Sequence, residues 1–91
     1  MTALSRTLVI VNQRGLHARA SRKLAELALA YDARITVRRE DEEADATSLM
    51  DLMMLGAALG SEIEVFAEGP QAADALDAIA RLVADKFGEG E

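Results

Sequence analysis

The sequence predicts an α+β fold, an open-faced two-layer sandwich: a four-stranded antiparallel sheet with three helices on one face, in the order β-α-β-β-α-β-α. Three observations lead there. Short segments that are β-branched, or that alternate apolar with polar residues, recur around Thr7–Asn12, Ile35–Arg38, Glu43–Ala46 and Ile63–Val65. Stretches with helical spacing lie between and after them. The 91 residues hold no repeat, linker or low-complexity tract and one proline, Pro70, which leaves a single domain over 1–91 with its core at about 6–87. A chain of this size buries only about 60–65% of the surface its unfolded form exposes, so the core is modest.

Each element has its own signal. Thr7-Leu8-Val9-Ile10-Val11-Asn12 is a strand-length β-branched run, and Asn12-Gln13-Arg14-Gly15 reads as a turn. From Ala18 onward Ala20, Leu24, Leu27, Ala28 and Tyr31 recur at helical spacing, with Arg19, Arg22, Lys23 and Glu26 on the other side. Ile35 and Val37 alternate with Thr36 and Arg38 as a half-buried strand. Acidic Glu40–Glu43 is a solvated turn before a short strand at Glu43–Ala46. Ser48 with Asp51 three residues on is a capping signal, so a short helix runs from Leu49 to about Ala57 and stops near Gly60. Ile63 and Val65 alternate with Glu62 and Glu64. Gly69-Pro70 opens the last helix, because proline suits the first helical position, and its apolar stripe is Ala72, Leu76, Ile79, Ala80, Val83 and Phe87. The ends, Met1–Ser5 and Gly88–Glu91, are expected to fray.

Composition removes several function classes. Sixteen acidic against ten basic residues leave a net charge of −6, which argues against a general nucleic-acid binder. The charge is polarised along the chain: residues 1–39 sum to +6 and residues 40–91 to −12. That division can put one basic face on an otherwise acidic molecule. Without cysteine, disulfides, thiolate metal sites and thiol catalysis are excluded. The apolar stretches Leu8–Val11 and Leu49–Leu59 are too short to span a bilayer, and no secretory signal pattern is legible. A cytoplasmic protein without membrane insertion is expected. There is one histidine, so no second imidazole or thiolate completes a metal site, and neither metal nor cofactor is expected.

That histidine carries the chemistry. In Gly15-Leu16-His17-Ala18-Arg19-Ala20-Ser21, His17 falls where loop becomes helix, near unpaired backbone N–H groups at the positive end of the helix dipole. The location disfavours imidazolium, keeps a neutral nucleophilic nitrogen available, and favours an anion placed on the ring afterwards. Arg19 supplies a permanent cation for phosphate oxygens. A lone histidine at a helix start is usually a polar surface residue, and no nucleophile-elbow pattern surrounds Ser21, Ser48 or Ser61. The combination of nucleophile, helix end and guanidinium suits a phosphorylated histidine.

From Thr7 to Phe87 the chain resembles the HPr family, the histidine-containing phosphocarriers of the bacterial phosphotransferase system. The resemblance rests on Gly15-Leu16-His17-Ala18-Arg19, on Ser48-Leu49-Met50-Asp51-Leu52-Met53, and on Glu68-Gly69-Pro70 before the last helix, in the family's order and spacing. It implies that His17 accepts a phosphoryl group on Nδ1 from phosphorylated enzyme I and passes it to a IIA-type protein, with Arg19 steadying the charge. The carrier would be stoichiometric, a monomer and not an enzyme. Two residues depart from the family pattern: Ala20 stands where proline usually follows the arginine, and Thr47 where lysine often precedes the serine. Alanine keeps the helix but gives up the fixed φ of its first turn. Thr47, with the Gly-Pro-Gln segment and acidic tail, resembles the nitrogen-related, NPr-like branch more than the sugar-transport branch.

Ser48 and the helix after it complete the expected site. As structure Ser48 is an N-cap; by resemblance it is a regulatory phosphorylation site for HPr kinase/phosphorylase. Leu49, Met50, Leu52, Met53, Met54 and Leu55 are apolar almost all round a very short helix. Leu52 and Leu55 should cover the sheet, and the excess points to a partner patch where flexible methionines adapt. The resemblance implies a docking surface shared by this helix and the His-bearing helix, with Leu49, Met50 and Met53 at contact positions. The bases Arg14, Arg22 and Lys23 around His17 are expected to form its basic rim, and Ala20 is expected to belong to the same surface. The rival reading is a non-catalytic regulatory binding module of similar topology. An RNA-recognition domain would need stacking aromatics, and only Tyr31, Phe66 and Phe87 are present. A dimerisation module would not need His17 and Arg19 together.

Overall fold

A computed structural model describes residues 3–89. Strand β1 spans Leu4–Val9, β2 Arg34–Arg39, β3 Glu42–Asp45 and β4 Glu62–Glu68; helix α1 spans Ala18–Leu29, α2 Leu49–Met54 and α3 Ala72–Ala84, followed by one 3-10 turn at Lys86–Gly88. The strands form one antiparallel sheet in the order β1-β4-β2-β3, so β4 lies between the two strands that begin the chain. Its Ile63, Val65 and Ala67, with Ile35 and Val37 of β2, point into the helical layer and are almost fully buried. The opposite face is polar: Arg38 reaches Glu64 at 3.1 Å and lies 5.3 Å above the Phe66 ring. The α+β architecture, four-stranded antiparallel sheet and element order are those expected.

Helices α1 and α3 bury most of the stripes that their periodicity marks, with Leu27, Tyr31 and Ala80 only half-buried and Tyr31 and Phe87 lying just past the helix ends. Ala20, Leu24 and Ala28 of α1 meet Leu76, Ile79 and Val83 of α3 in a single core. That core also takes Leu52, Leu55 and Phe87.

Several boundaries differ from expectation, each for a reason outside the local pattern. Strand β1 begins at Leu4 and ends at Val9 instead of spanning Thr7–Asn12. Its run Leu8-Val9-Ile10-Val11 has no polar residue to mark the two faces, and pairing with β4 decides them: Leu8 and Ile10 turn inward while Val9 and Val11 are exposed. Leu4 and Ser5, expected to fray, pair with Ala67 and Phe66. Helix α2 stops at Met54, not Ala57, because Gly56 at φ +65° reverses the chain just past its end. Helix α3 starts at Ala72, after Gln71 engages Asp32 with both its backbone N–H and its side-chain oxygen. Gly88 and Glu89 are not loose either. Lys86 and Phe87 both adopt left-handed φ of 55°, and the Phe87 ring is fully buried. The remaining tail residues, 1–2 and 90–91, lie outside the described residues.

Candidate functional site

The loop before α1 is built to a tight template. Asn12 is fully buried; its Nδ2 donates to the Gly15 carbonyl at 2.9 Å, and the Gly15 N–H donates back to the Asn12 carbonyl at 3.3 Å. Gly15 has φ +63°, and a Cβ there would lie 2.3 Å from the Ala57 carbonyl oxygen, so only glycine fits. The next N–H, of Leu16, donates to that same carbonyl at 2.9 Å. The loop is thereby stitched to the segment that follows α2, and Leu16 is buried beneath it.

His17 is the N-cap of α1. Its backbone is extended, its carbonyl accepts from Ser21 N–H, and its ring Nδ1 accepts from Arg19 N–H at 3.3 Å. A ring nitrogen that accepts carries no proton, so the proton of the neutral ring resides on Nε2. That atom lies 2.6 Å from Oε2 of Glu89. The other carboxylate oxygen of Glu89 accepts from Asn12 Nδ2 at 3.1 Å. The imidazole is therefore held from both sides, and its side chain is 23% exposed. Burial raises the Glu89 carboxyl, but the hydrogen bonds from His17 and Asn12, with Arg19 nearby, outweigh it and hold the group below the ordinary glutamate range.

Arg14, Arg19, Lys23, Gly88 and Glu89 line one cleft. Lys23 is tied down, donating to the Phe87 carbonyl at 2.6 Å. Among the described residues, neither Arg14 nor Arg19 forms an ion pair. Arg22 points elsewhere, 3.6 Å from Glu26 one helical turn on. Ala20 does not fit its expected place on a docking surface: it faces the core with no exposed area and no side chain long enough to reach solvent.

Ser48 caps α2, its Oγ accepting from Asp51 N–H at 3.2 Å. The turn before it is fastened by Asp45, whose Oδ1 accepts from Thr47 N–H at 2.9 Å and Thr47 Oγ1 at 2.7 Å. Leu52 and Leu55 face the core, while Met50, Met53 and Met54 are 65%, 39% and 74% exposed. Leu49 is half-buried. Met54 borders a cleft shared with Glu42, Glu43 and Asp51, which sets it apart from the basic surroundings of α1.

Two residues at the histidine escape a reading of the sequence. Asn12 looks like the end of a strand, and Glu89 like a tail. The available signal for Glu89 was Phe87, an apolar residue in phase with the last helix, which draws the chain end back to the core.

A family model described as the HPr component phosphorylation site of the phosphotransferase system matches residues 4–85. The phosphocarrier protein HPr of Cupriavidus necator is 43% identical over 88 residues, covering 97% of this chain and 99% of that protein. The phosphocarrier protein NPr of Shewanella violacea is 46% identical over 89 residues, covering 98% of each. A crystal structure of HPr from Thermoanaerobacter tengcongensis superposes with a TM-score of 0.89 at 32% identity, covering 98% of each chain. Fold and family together define a phosphocarrier of the phosphotransferase system. The chain belongs to the HPr family, in which these relatives carry both the HPr and the NPr names.

Proposed function

We propose that the protein is a stoichiometric cytoplasmic carrier that accepts a phosphoryl group on Nδ1 of His17 from phosphorylated enzyme I and hands it to a IIA-type protein. The observation that carries this reading is the geometry of the ring: at the N-terminus of α1 its Nδ1 lies 3.3 Å from the Arg19 N–H that it accepts from, and Arg14 and Arg19 both line the neighbouring cleft that Glu89 shares. The Nδ1 lone pair attacks phosphorus as the N–P bond of the donor breaks, and the donor imidazole leaves neutral. The new bond uses the lone pair that accepts from Arg19 N–H, which frees this N–H to donate to a phosphoryl oxygen. Arg19 and the dipole of α1 meet the charge that arrives. Onward transfer reverses the same steps. The exposed Met50 and Met53, with half-buried Leu49, supply the apolar part of the surface that both partners use, and Ser48 is the site where a kinase would regulate it. The NPr-like features favour a regulatory, nitrogen-related role.

Incubation with enzyme I and phosphoenolpyruvate, read by intact mass and acid lability, tests the assignment. The native protein should gain one acid-labile phosphoryl group, and His17→Ala should fold and gain none. An acid-labile phosphate on the variant would refute the role of His17, and no phosphate on the native protein would favour the rival binding module.

A further inference from the structure

We propose that Glu89 is the positioning residue of the phosphoryl-accepting histidine: its carboxylate holds the Nε2 proton of His17, directs the lone pair to Nδ1, and balances the charge that the ring acquires during transfer. The proposal rests on the carrier reading above. An ionised carboxylate only accepts hydrogen bonds. With Oε2 at 2.6 Å from His17 Nε2, the ring must donate there, which leaves Nδ1 to accept from Arg19 N–H. The two contacts select one tautomer from opposite sides of the ring.

The placement of Glu89 is built rather than incidental. Its side chain is 9% exposed and both oxygens are engaged, one by His17 and one by fully buried Asn12. It arrives there through a reversal at Lys86 and Phe87, two consecutive non-glycine residues at left-handed φ. Such conformations are strained for residues that carry a Cβ and persist only where surroundings enforce them. The buried Phe87 ring and the Lys23 bond to the Phe87 carbonyl are those surroundings.

The chemistry follows from the geometry. When Nδ1 forms its bond to phosphorus, the ring becomes positively charged with its proton still on Nε2. A carboxylate at hydrogen-bond distance stabilises that charge without taking the proton, as the aspartate does for histidine in serine proteases. When the phosphoryl group leaves, the ring returns to the neutral Nε2–H form and no proton has moved.

The test is Glu89→Gln, which keeps the shape but offers one acceptor where the carboxylate offers two. Either Asn12 or His17 then loses its partner. Ring nitrogen chemical shifts of the unphosphorylated protein should report the Nε2–H tautomer in the native chain and a mixture in the variant. The rate of phosphoryl transfer from enzyme I should fall by about tenfold or more. Glu89→Ala should behave alike, and thermal melts of both variants control for folding. Native transfer rates, or slowed transfer with an unaltered tautomer, would overturn the proposal. If the native protein accepts no phosphoryl group the carrier reading fails, whereas the nitrogen shifts still decide whether Glu89 holds the ring.

Discussion

Lys23, in the second turn of α1, donates to the carbonyl of Phe87 at 2.6 Å, joining the helix that carries His17 to the turn that delivers Glu89. The bond links residues 64 positions apart and leaves Gly88 packed beside the lysine. Phe87→Ala should destabilise the fold by about 3–5 kcal/mol, because its ring is fully buried. Lys23→Met, which keeps the apolar stem, should cost only about 1 kcal/mol. Both should release Glu89 from His17, visible in the ring nitrogen shifts. An undisturbed histidine in Phe87→Ala would show that the turn is held by something else.

Arg19→Ala should separate transfer from stability. The side chain lies on the exposed side of α1, and its backbone N–H, which donates to His17 Nδ1, survives the substitution. The melt should move by less than about 0.5 kcal/mol, whereas the transfer rates in both directions should fall by at least about tenfold. Unchanged rates would assign the phosphoryl charge to the helix terminus alone.

Met50 is 65% exposed, so Met50→Glu should leave the melt unchanged. In the proposed role both enzyme I and the IIA-type partner approach the same ring nitrogen, so affinity for each should drop together, by about tenfold or 1–2 kcal/mol. Titration of each partner against a labelled variant measures this. Loss of one affinity without the other would separate the two docking surfaces. Phosphate on Ser48 should act in the same direction by like-charge repulsion and desolvation.

Asp45 should make a small, acid-sensitive contribution to stability. Hydrogen bonds from the Thr47 hydroxyl and backbone, with Arg34 nearby, outweigh its desolvation and hold its carboxyl below the ordinary aspartate range, about 3.9. A folded-state value below the unfolded one contributes stability that is complete above the unfolded value and lost as pH falls through the folded value. Denaturant melts of native protein and Asp45→Asn should therefore differ at neutral pH, draw together as pH falls below about 3.9, and coincide only below the lower folded-state value. A difference that persists in acid would trace the effect to shape rather than charge.

How much of this was legible in the sequence depended on the range of the interaction. Helical spacing from Ala18, alternation at Ile35 and Val37, and the Ser48–Asp51 cap are local signals, and each led to an element that the structure contains. His17 at a helix start was likewise readable, because a cap is set by its immediate neighbours. Register in Leu8–Val11 was not, since a run apolar on both faces carries no phase until β4 pairs with it.

The sequence by itself determined the order of elements, the helix that His17 opens and the cap at Ser48. Tertiary structure alone decided that β4 lies between β1 and β2, that Ala20 faces the core, and that Glu89 meets a histidine 72 residues away. The physical reason is the same in each case. Periodicity and capping record what a residue does with neighbours a few positions off, whereas a carboxylate at the chain end has no local partner to announce it. Its place was set by burial of Phe87, which turned the backbone at Lys86 and Phe87 and brought both oxygens of Glu89 onto Asn12 and His17.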